Sequence, residues 1–245
     1  MQFNIGSATN IGQRRSKNQD NFSVVPELGL FLVADGMGGH RGGETASAIV
    51  AQVVPEVVAE ALRMETWNPR AVIVEAIRTA NTTIFKKAAE DAELEGMGTT
   101  TTALLFQNNM LTIGHVGDSR CYYIVNNSLW QATRDHSLVQ EKIRAGLITR
   151  EQAKFDRMKN VITRSVGFEP AIDVEVYELE VKPGDALLLC SDGLSGLVTD
   201  EVILQIVHKS AIEDNDPKQA VEELIRRANE NGGDDNVTAV IVKVS

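Results

Sequence analysis

Residues 99–132 contain Thr-Thr-Thr-Thr-Ala-Leu-Leu-Phe (99–106), Met-Leu-Thr-Ile-Gly-His-Val (110–116), Arg-Cys-Tyr-Tyr-Ile-Val (120–125) and Leu-Trp-Gln-Ala (129–132). Breaks fall at Asn108-Asn109, Gly117-Asp118 and Asn126-Asn127-Ser128. Branched and aromatic side chains suit a pleated surface, while Asn and Gly accept the left-handed backbone of tight turns. This punctuation predicts an antiparallel meander. Upstream, short apolar alternation at 2–9 and 21–25 and the nearly continuous apolar run 28–34 predict further strands, the last buried and carrying Asp35 at its tip. Downstream, 174–181, 186–190 and 237–244 are strand-like again.

Helical stripes lie between these strands. From Gly42 to Arg63, apolar residues recur at spacings of three and four, with a kink expected at Pro55. Asn68-Pro69 is an N-cap followed by proline at the first helical position, and Gly96 and Gly98 are expected to stop that helix. Helices are also expected at 200–208 and 217–231, and short ones at 138–145 and 150–155 within a more polar excursion. Antiparallel strands interleaved with helices predict an α+β fold class. Strands at both ends, with no internal repeat or linker, predict one domain, 1–245, with the excursion as a subdomain at about 137–172.

Composition narrows the chemistry. The 245 residues carry 24 Lys plus Arg against 34 Asp plus Glu, a formal charge of -10, the wrong sign for tracking a phosphate backbone, so nucleic acid is not an expected partner. Cys121 and Cys190 sit in apolar stretches without metal or redox spacing and are expected to be buried thiols. No apolar run approaches the ~20 residues that span a bilayer, and the N-terminus has no basic region followed by an apolar core, so no membrane association and a cytoplasmic address are expected.

Acids fall where acids are normally excluded. Asp35, Asp118 and Asp192 each follow an apolar run, and Asp235 precedes the run 237–244. Any one alone reads as an Asp-Gly-type turn. Four together at strand ends imply a compensating cation, because an unpaired buried carboxylate is costly. With few basic residues beside them, the oxygen ligands favour Mg²⁺ or Mn²⁺. Gly12-Gln13-Arg14-Arg15-Ser16-Lys17 is basic in an acidic chain, and an arginine fork beside metals suits a phosphate ester.

Six blocks occur in order: Arg15-x-x-Asn18-Gln19-Asp20, Ala34-Asp35-Gly36-Met37-Gly38-Gly39-His40, Gly98-Thr99-Thr100, Val116-Gly117-Asp118-Ser119-Arg120, Ser191-Asp192-Gly193-Leu194 and Asp235-Asn236-Val237-Thr238. Together they resemble the metal-dependent serine/threonine protein phosphatases of the protein phosphatase 2C (PPM) type, in their short bacterial form. The resemblance implies a β-sandwich of two antiparallel sheets flanked by helix pairs, with a metal site at one end of the sandwich. It also implies two to three Mn²⁺ or Mg²⁺ ions, with Asp35 bridging two of them and Gly36 giving a backbone carbonyl. Asp192 and Asp235 would complete the second ion, Asp20 would hold a metal-bound water, and Asp118 with Asp192 would hold a third ion. Arg15 would clamp phosphate. By the same resemblance a hydroxide held between two ions attacks phosphorus directly in phosphoserine and phosphothreonine of proteins, with no phosphoenzyme. His40 is the nearest histidine to the site and is the expected acid for the departing oxygen. His115 and His136 are expected to be structural. A monomer acting on phosphorylated proteins, opposite a serine/threonine kinase, follows from the resemblance, as does a flap at 137–172 that influences substrate choice.

Two other enzyme classes fit poorly. Gly36-x-Gly38 after a strand superficially resembles a dinucleotide fingerprint, but Arg41 stands where its third glycine belongs. Gly193-Leu194-Ser195-Gly196 is not a nucleophile elbow. A binding module on the same fold is expected to have lost an acid, whereas Asp35, Asp192 and Asp235 are all present.

Overall fold

The computed structural model describes residues 1–38, 42–153 and 155–245. Its strands are β1 (Phe3–Asn10), β2 (Asp20–Val25), β3 (Leu30–Met37), β4 (Gly98–Thr99), β5 (Thr101–Gln107), β6 (Met110–Val116), β7 (Arg120–Val125), β8 (Ser128–Gln131), β9 (Glu175–Glu180), β10 (Ala186–Cys190) and β11 (Val237–Val244). The α-helices are α1 (Gly42–Ala61), α2 (Pro69–Glu90), α3 (Leu138–Arg144), α4 (Arg150–Ala153), α5 (Asp192–Ser195), α6 (Asp200–Ile206) and α7 (Pro217–Glu230).

Two antiparallel sheets result. One has the order β1-β11-β10-β7-β8, the other β2-β3-β5-β6-β9 with β4 beside β3. Strand alternation then sorts the core into layers. Leu30, Leu32, Ala103 and Leu105 face α1 and α2, whereas Phe31, Val33, Leu104 and Phe106 meet Leu187, Leu189, Val240 and Val242 of the other sheet. On the far side Leu188, Cys190, Ala239 and Ile241 pack under α6 and α7. Strands covered on both faces need continuous apolar runs, which is what 30–34 and 186–190 supply. Each fully buried Leu or Phe contributes about 1.5–3 kcal/mol.

Local chemistry sets the helix ends. Asn68 Oδ1 accepts the Ala71 N–H at 2.9 Å and Pro69 occupies the first turn, so α2 starts where expected. It ends earlier than the glycines suggest: Glu90 is its last residue, and Asp91 caps a separate 3₁₀ turn, Ala92–Leu94. Pro55 lies inside α1 and cannot donate to the Ala51 carbonyl; Ser23 Oγ donates to that oxygen instead, at 2.6 Å.

Two further expectations need correction. The four runs in 99–132 are not one meander. β5 and β6 belong to one sheet and β7 and β8 to the other. The chain crosses at 117–119, where Gly117 has φ +106 and a Cβ on it would lie 2.6 Å from the Thr100 side chain. A crossing and a hairpin use the same turn residues, so the pattern does not distinguish them. Nor is Asp35 the tip of its strand: β3 continues to Met37 because Gly36 and Met37 pair with Thr99 and Gly98. Cys121 and Cys190 are fully buried free thiols, as expected.

Candidate metal centre

Asp20 opens β2 and stands directly opposite Asp35 of β3 in the antiparallel register. Like charges in that position repel, so the pair is tolerated only with compensation. The other sheet brings Asp192, first residue of α5 after β10, and Asp235, two residues before β11. Asp118 arrives from the crossing between β6 and β7. Asp35 feels the charges of Asp20, Asp192, Asp118 and Asp235 together, and it comes within hydrogen-bonding reach of Asp192. The five acids of the sequence pattern therefore share one end of the sandwich.

Their electrostatics show the strain of that arrangement. Burial first, then the neighbouring acids, holds the Asp35 carboxyl well above the usual carboxylate range. Burial likewise pushes Asp20 up to about 6, against the opposing effect of its hydrogen bonds to Thr238 and Ser191. Burial and then Asp192 and Asp135 push Asp118 up to about 8. Asp192 is also raised, by burial and by Asp235. Asp20 Oδ1 and Asp192 Oδ1 are buried with no hydrogen-bond partner.

Buried, unpartnered carboxylate oxygens among mutually repelling acids fit hard divalent cations. Among the described residues no three acid, histidine or cysteine side chains form a closed cage. Magnesium-type ions do not require one, since they retain several waters and take one or two carboxylates each.

Backbone and hydroxyl groups hold the acids in place. Asp35 N donates to Thr100 Oγ1 at 2.9 Å, and Thr99 Oγ1 and Thr100 N donate to the Asp35 carbonyl. Thr100 Oγ1 also meets Ser119 Oγ at 2.8 Å, which ties Asp35 to the residue after Asp118. Gly36 admits no side chain, because a Cβ there would lie 2.0 Å from the Gly43 carbonyl oxygen at the start of α1. Ser191 Oγ and Thr238 Oγ1 donate to Asp20 Oδ2 at 2.8 and 2.6 Å.

Arg15 Nη2 donates to Asp235 Oδ2 at 2.6 Å, so the basic loop folds over the acids. Buried Asn236 pins that loop: its Oδ1 accepts Gln19 N at 2.8 Å, and its Nδ2 donates to the carbonyls of Ile11 and Lys17 at 2.9 Å. Asn236, Thr99, Thr100, Ser191 and Thr238 had no assigned role in the sequence analysis. Their signal was there, as polar side chains embedded in or beside apolar strands. His40 lies outside the described residues.

His115 and His136, expected to be structural, are both buried. His115 contacts Thr102 Oγ1 and the Arg134 carbonyl, and burial pushes it down to about 4. His136 Nδ1 accepts Gly117 N–H at 3.0 Å. Arg120, from the same block as Asp118, forms a two-pronged pair with Asp135, with Nη2 at 2.7 Å from Oδ2.

Comparison with known proteins follows the same lines. A family model described as Protein phosphatase 2C matches residues 10–240. Serine/threonine phosphatase stp of Listeria welshimeri is 34% identical over 244 residues, covering 96% of this chain and 93% of that protein. Serine/threonine protein phosphatase PstP of Mycobacterium tuberculosis is 37% identical over 238 residues, which are 95% of this chain and 43% of the longer protein. The crystal structure of PstP/Ppp from M. tuberculosis is similar at a TM-score of 0.90, with 33% identity over 99% of both chains. That of the PstP catalytic domain with two manganese ions gives a TM-score of 0.88, again at 33% identity over 99% of both.

Proposed function

The chain belongs to the protein phosphatase 2C family, and on that premise we propose that it is a divalent-metal-dependent phosphatase releasing phosphate from phosphoserine and phosphothreonine in proteins. The observation that carries this reading is the convergence of Asp20, Asp35, Asp118, Asp192 and Asp235 from both sheets, with buried carboxylate oxygens left unpartnered.

In this proposal Asp35, the Gly36 carbonyl, Asp192 and Asp235 hold two Mn²⁺ or Mg²⁺ ions, Asp20 holds a water of one, and Asp118 with Asp192 holds a third. Ions there supply a hydroxide nucleophile at neutral pH and neutralise charge on the transferring phosphoryl group. Arg15 binds the substrate phosphate. Its guanidinium has five donors in a fixed fork, so engaging Asp235 leaves donors for phosphate oxygens. Asn236 positions Arg15 by holding the loop at Ile11, Lys17 and Gln19. His40 donates the proton to the departing serine or threonine oxygen.

Residues 1–245 act as one catalytic domain, with 137–172 as a flap beside the site. Exposed Leu147, Phe155, Met158 and Phe168 give that segment an apolar outer surface suited to protein substrates. Among the described residues no helix is long and apolar enough to cross a membrane. We place the enzyme in the cytoplasm, as a monomer in signal transduction opposite a serine/threonine kinase.

Phosphate release from a phosphothreonine peptide, measured with millimolar Mn²⁺ and with excess chelator, tests the reading. The parent is expected to turn over only with metal, and Asp192→Ala to be inactive. Metal-independent turnover, or full activity of the variant, would refute it.

A further inference from the structure

Asp20 is the most deeply buried of the five acids, 5% exposed, and its two oxygens differ. Oδ2 accepts Ser191 Oγ at 2.8 Å and Thr238 Oγ1 at 2.6 Å, while Oδ1 has no partner. An ionised carboxylate has no proton to give, so both hydroxyls are donors. That assignment propagates outward. Thr238 has one proton, already committed to Asp20, so in its 2.7 Å contact with Thr9 Oγ1 it is the acceptor and Thr9 the donor. Thr9 in turn accepts Asn18 Nδ2 at 2.8 Å. The Asn18 amide cannot turn over without loss, because its Oδ1 accepts the Asp20 N–H at 3.1 Å. Ser191 has an alternative acceptor in the Asn236 carbonyl, but at 3.4 Å it is longer than the bond to Asp20. Ser191 Oγ also accepts Thr238 N–H at 3.0 Å, which leaves its proton for the carboxylate.

We infer that Asn18, Thr9 and Thr238 form a one-directional hydrogen-bond relay which, with Ser191, anchors Asp20 through Oδ2 and so dedicates Oδ1 to the metal site. Thr9, Thr238 and Ser191 are positioning residues acting through Asp20. Each bond polarises the next, so the relay strengthens the contact with the carboxylate beyond what Thr238 alone provides. Thr9 lies outside every block of the sequence pattern, on the edge strand β1, directly opposite Thr238 in register. A mainly structural role, tying β1 to β11, is the alternative. The inference rests on the metal-dependent reading above.

Titration calorimetry of Mn²⁺ into metal-stripped protein separates the two, with thermal unfolding of the same metal-free samples as control. Outer-shell partners of metal sites typically change affinity by about 10–100-fold, so Thr238→Val is expected within that range and Thr9→Val, one bond further out, to lose roughly 3–10-fold. Thr9→Ser, which restores the hydroxyl, should bind within about twofold of the parent. Unchanged Mn²⁺ affinity in a folded Thr9→Val, whatever its unfolding temperature, would overturn the relay, as would a loss that Thr9→Ser fails to restore. Thr9→Val keeps the question open to test even where Thr238→Val does not fold. Absence of Mn²⁺ binding by the parent would overturn the phosphatase reading itself, and the inference with it.

Discussion

Protons and divalent ions compete for the same carboxylate oxygens, so metal stabilisation of this protein should depend steeply on pH. Burial is the chief cause that pushes the Asp118 carboxyl up to about 8 and that of Asp20 up to about 6, both from 3.8. A folded-state value above the unfolded one means that these two carboxyls bind more protons in the metal-free fold than in the unfolded chain across that window. Their contribution to stability is therefore lost as pH rises from about 4 to about 8. At about pH 8.5, the ion held by Asp118, at a hundred times its Kd, adds about 2.7 kcal/mol. For a chain of this size that raises Tm by about 5–10 °C. At about pH 5.5, displacing the proton from Asp118 lowers affinity for that ion by roughly 2.5 decades, so the same concentration lies below its Kd. The gain then falls under about 0.5 kcal/mol, or about 1–2 °C. Thermal unfolding of metal-stripped protein with and without Mn²⁺ at the two pH values, at matched ionic strength, measures both shifts. Equal shifts, or a larger one in acid, would refute the placement of the raised carboxyls at the ions.

Gly36→Ala places a Cβ 2.0 Å from the Gly43 carbonyl, a backbone atom that only a shift of α1 can move; overpacking of this kind costs about 1–3 kcal/mol, so Tm should drop by about 2–12 °C with weakened Mn²⁺ binding. An unchanged melting curve would contradict the close approach. Replacing 150–160 with a neutral loop should change rates on phosphoprotein substrates and spare a small aryl phosphate, and equal losses on both would show that the flap serves chemistry instead of docking.

Much of the architecture was legible because burial on both faces leaves a simple mark. Leu30 and Leu32 face helices while Phe31 and Val33 face the other sheet, so the run is apolar throughout and reads as an inner strand. What the pattern lacks is the identity of each strand's neighbour. Nothing in 117–119 distinguishes a crossing between sheets from a hairpin within one, and the expected meander failed there. The extension of β3 past Asp35 depends on Gly98–Thr99 returning from beyond two helices. The acids were visible as exceptions to apolar patterning. Their supports stood out only as polar side chains without identifiable partners, because Ser191 and Thr238 reach Asp20 across 171 and 218 residues of sequence. A hydroxyl beside a strand looks the same whether it closes a turn or holds a distant carboxylate.

The position of β11 has a consequence for biosynthesis. It lies between β1 and β10, so β1 has no sheet partner until β11 has been made. Until then β1 presents an open edge, the kind of surface that recruits other chains, and its pairing with β11 spans nearly the whole sequence, which slows folding. Asp235 and Asn236 arrive only with that strand. A nascent chain would thus hold an incomplete set of the clustered acids until its sandwich closes.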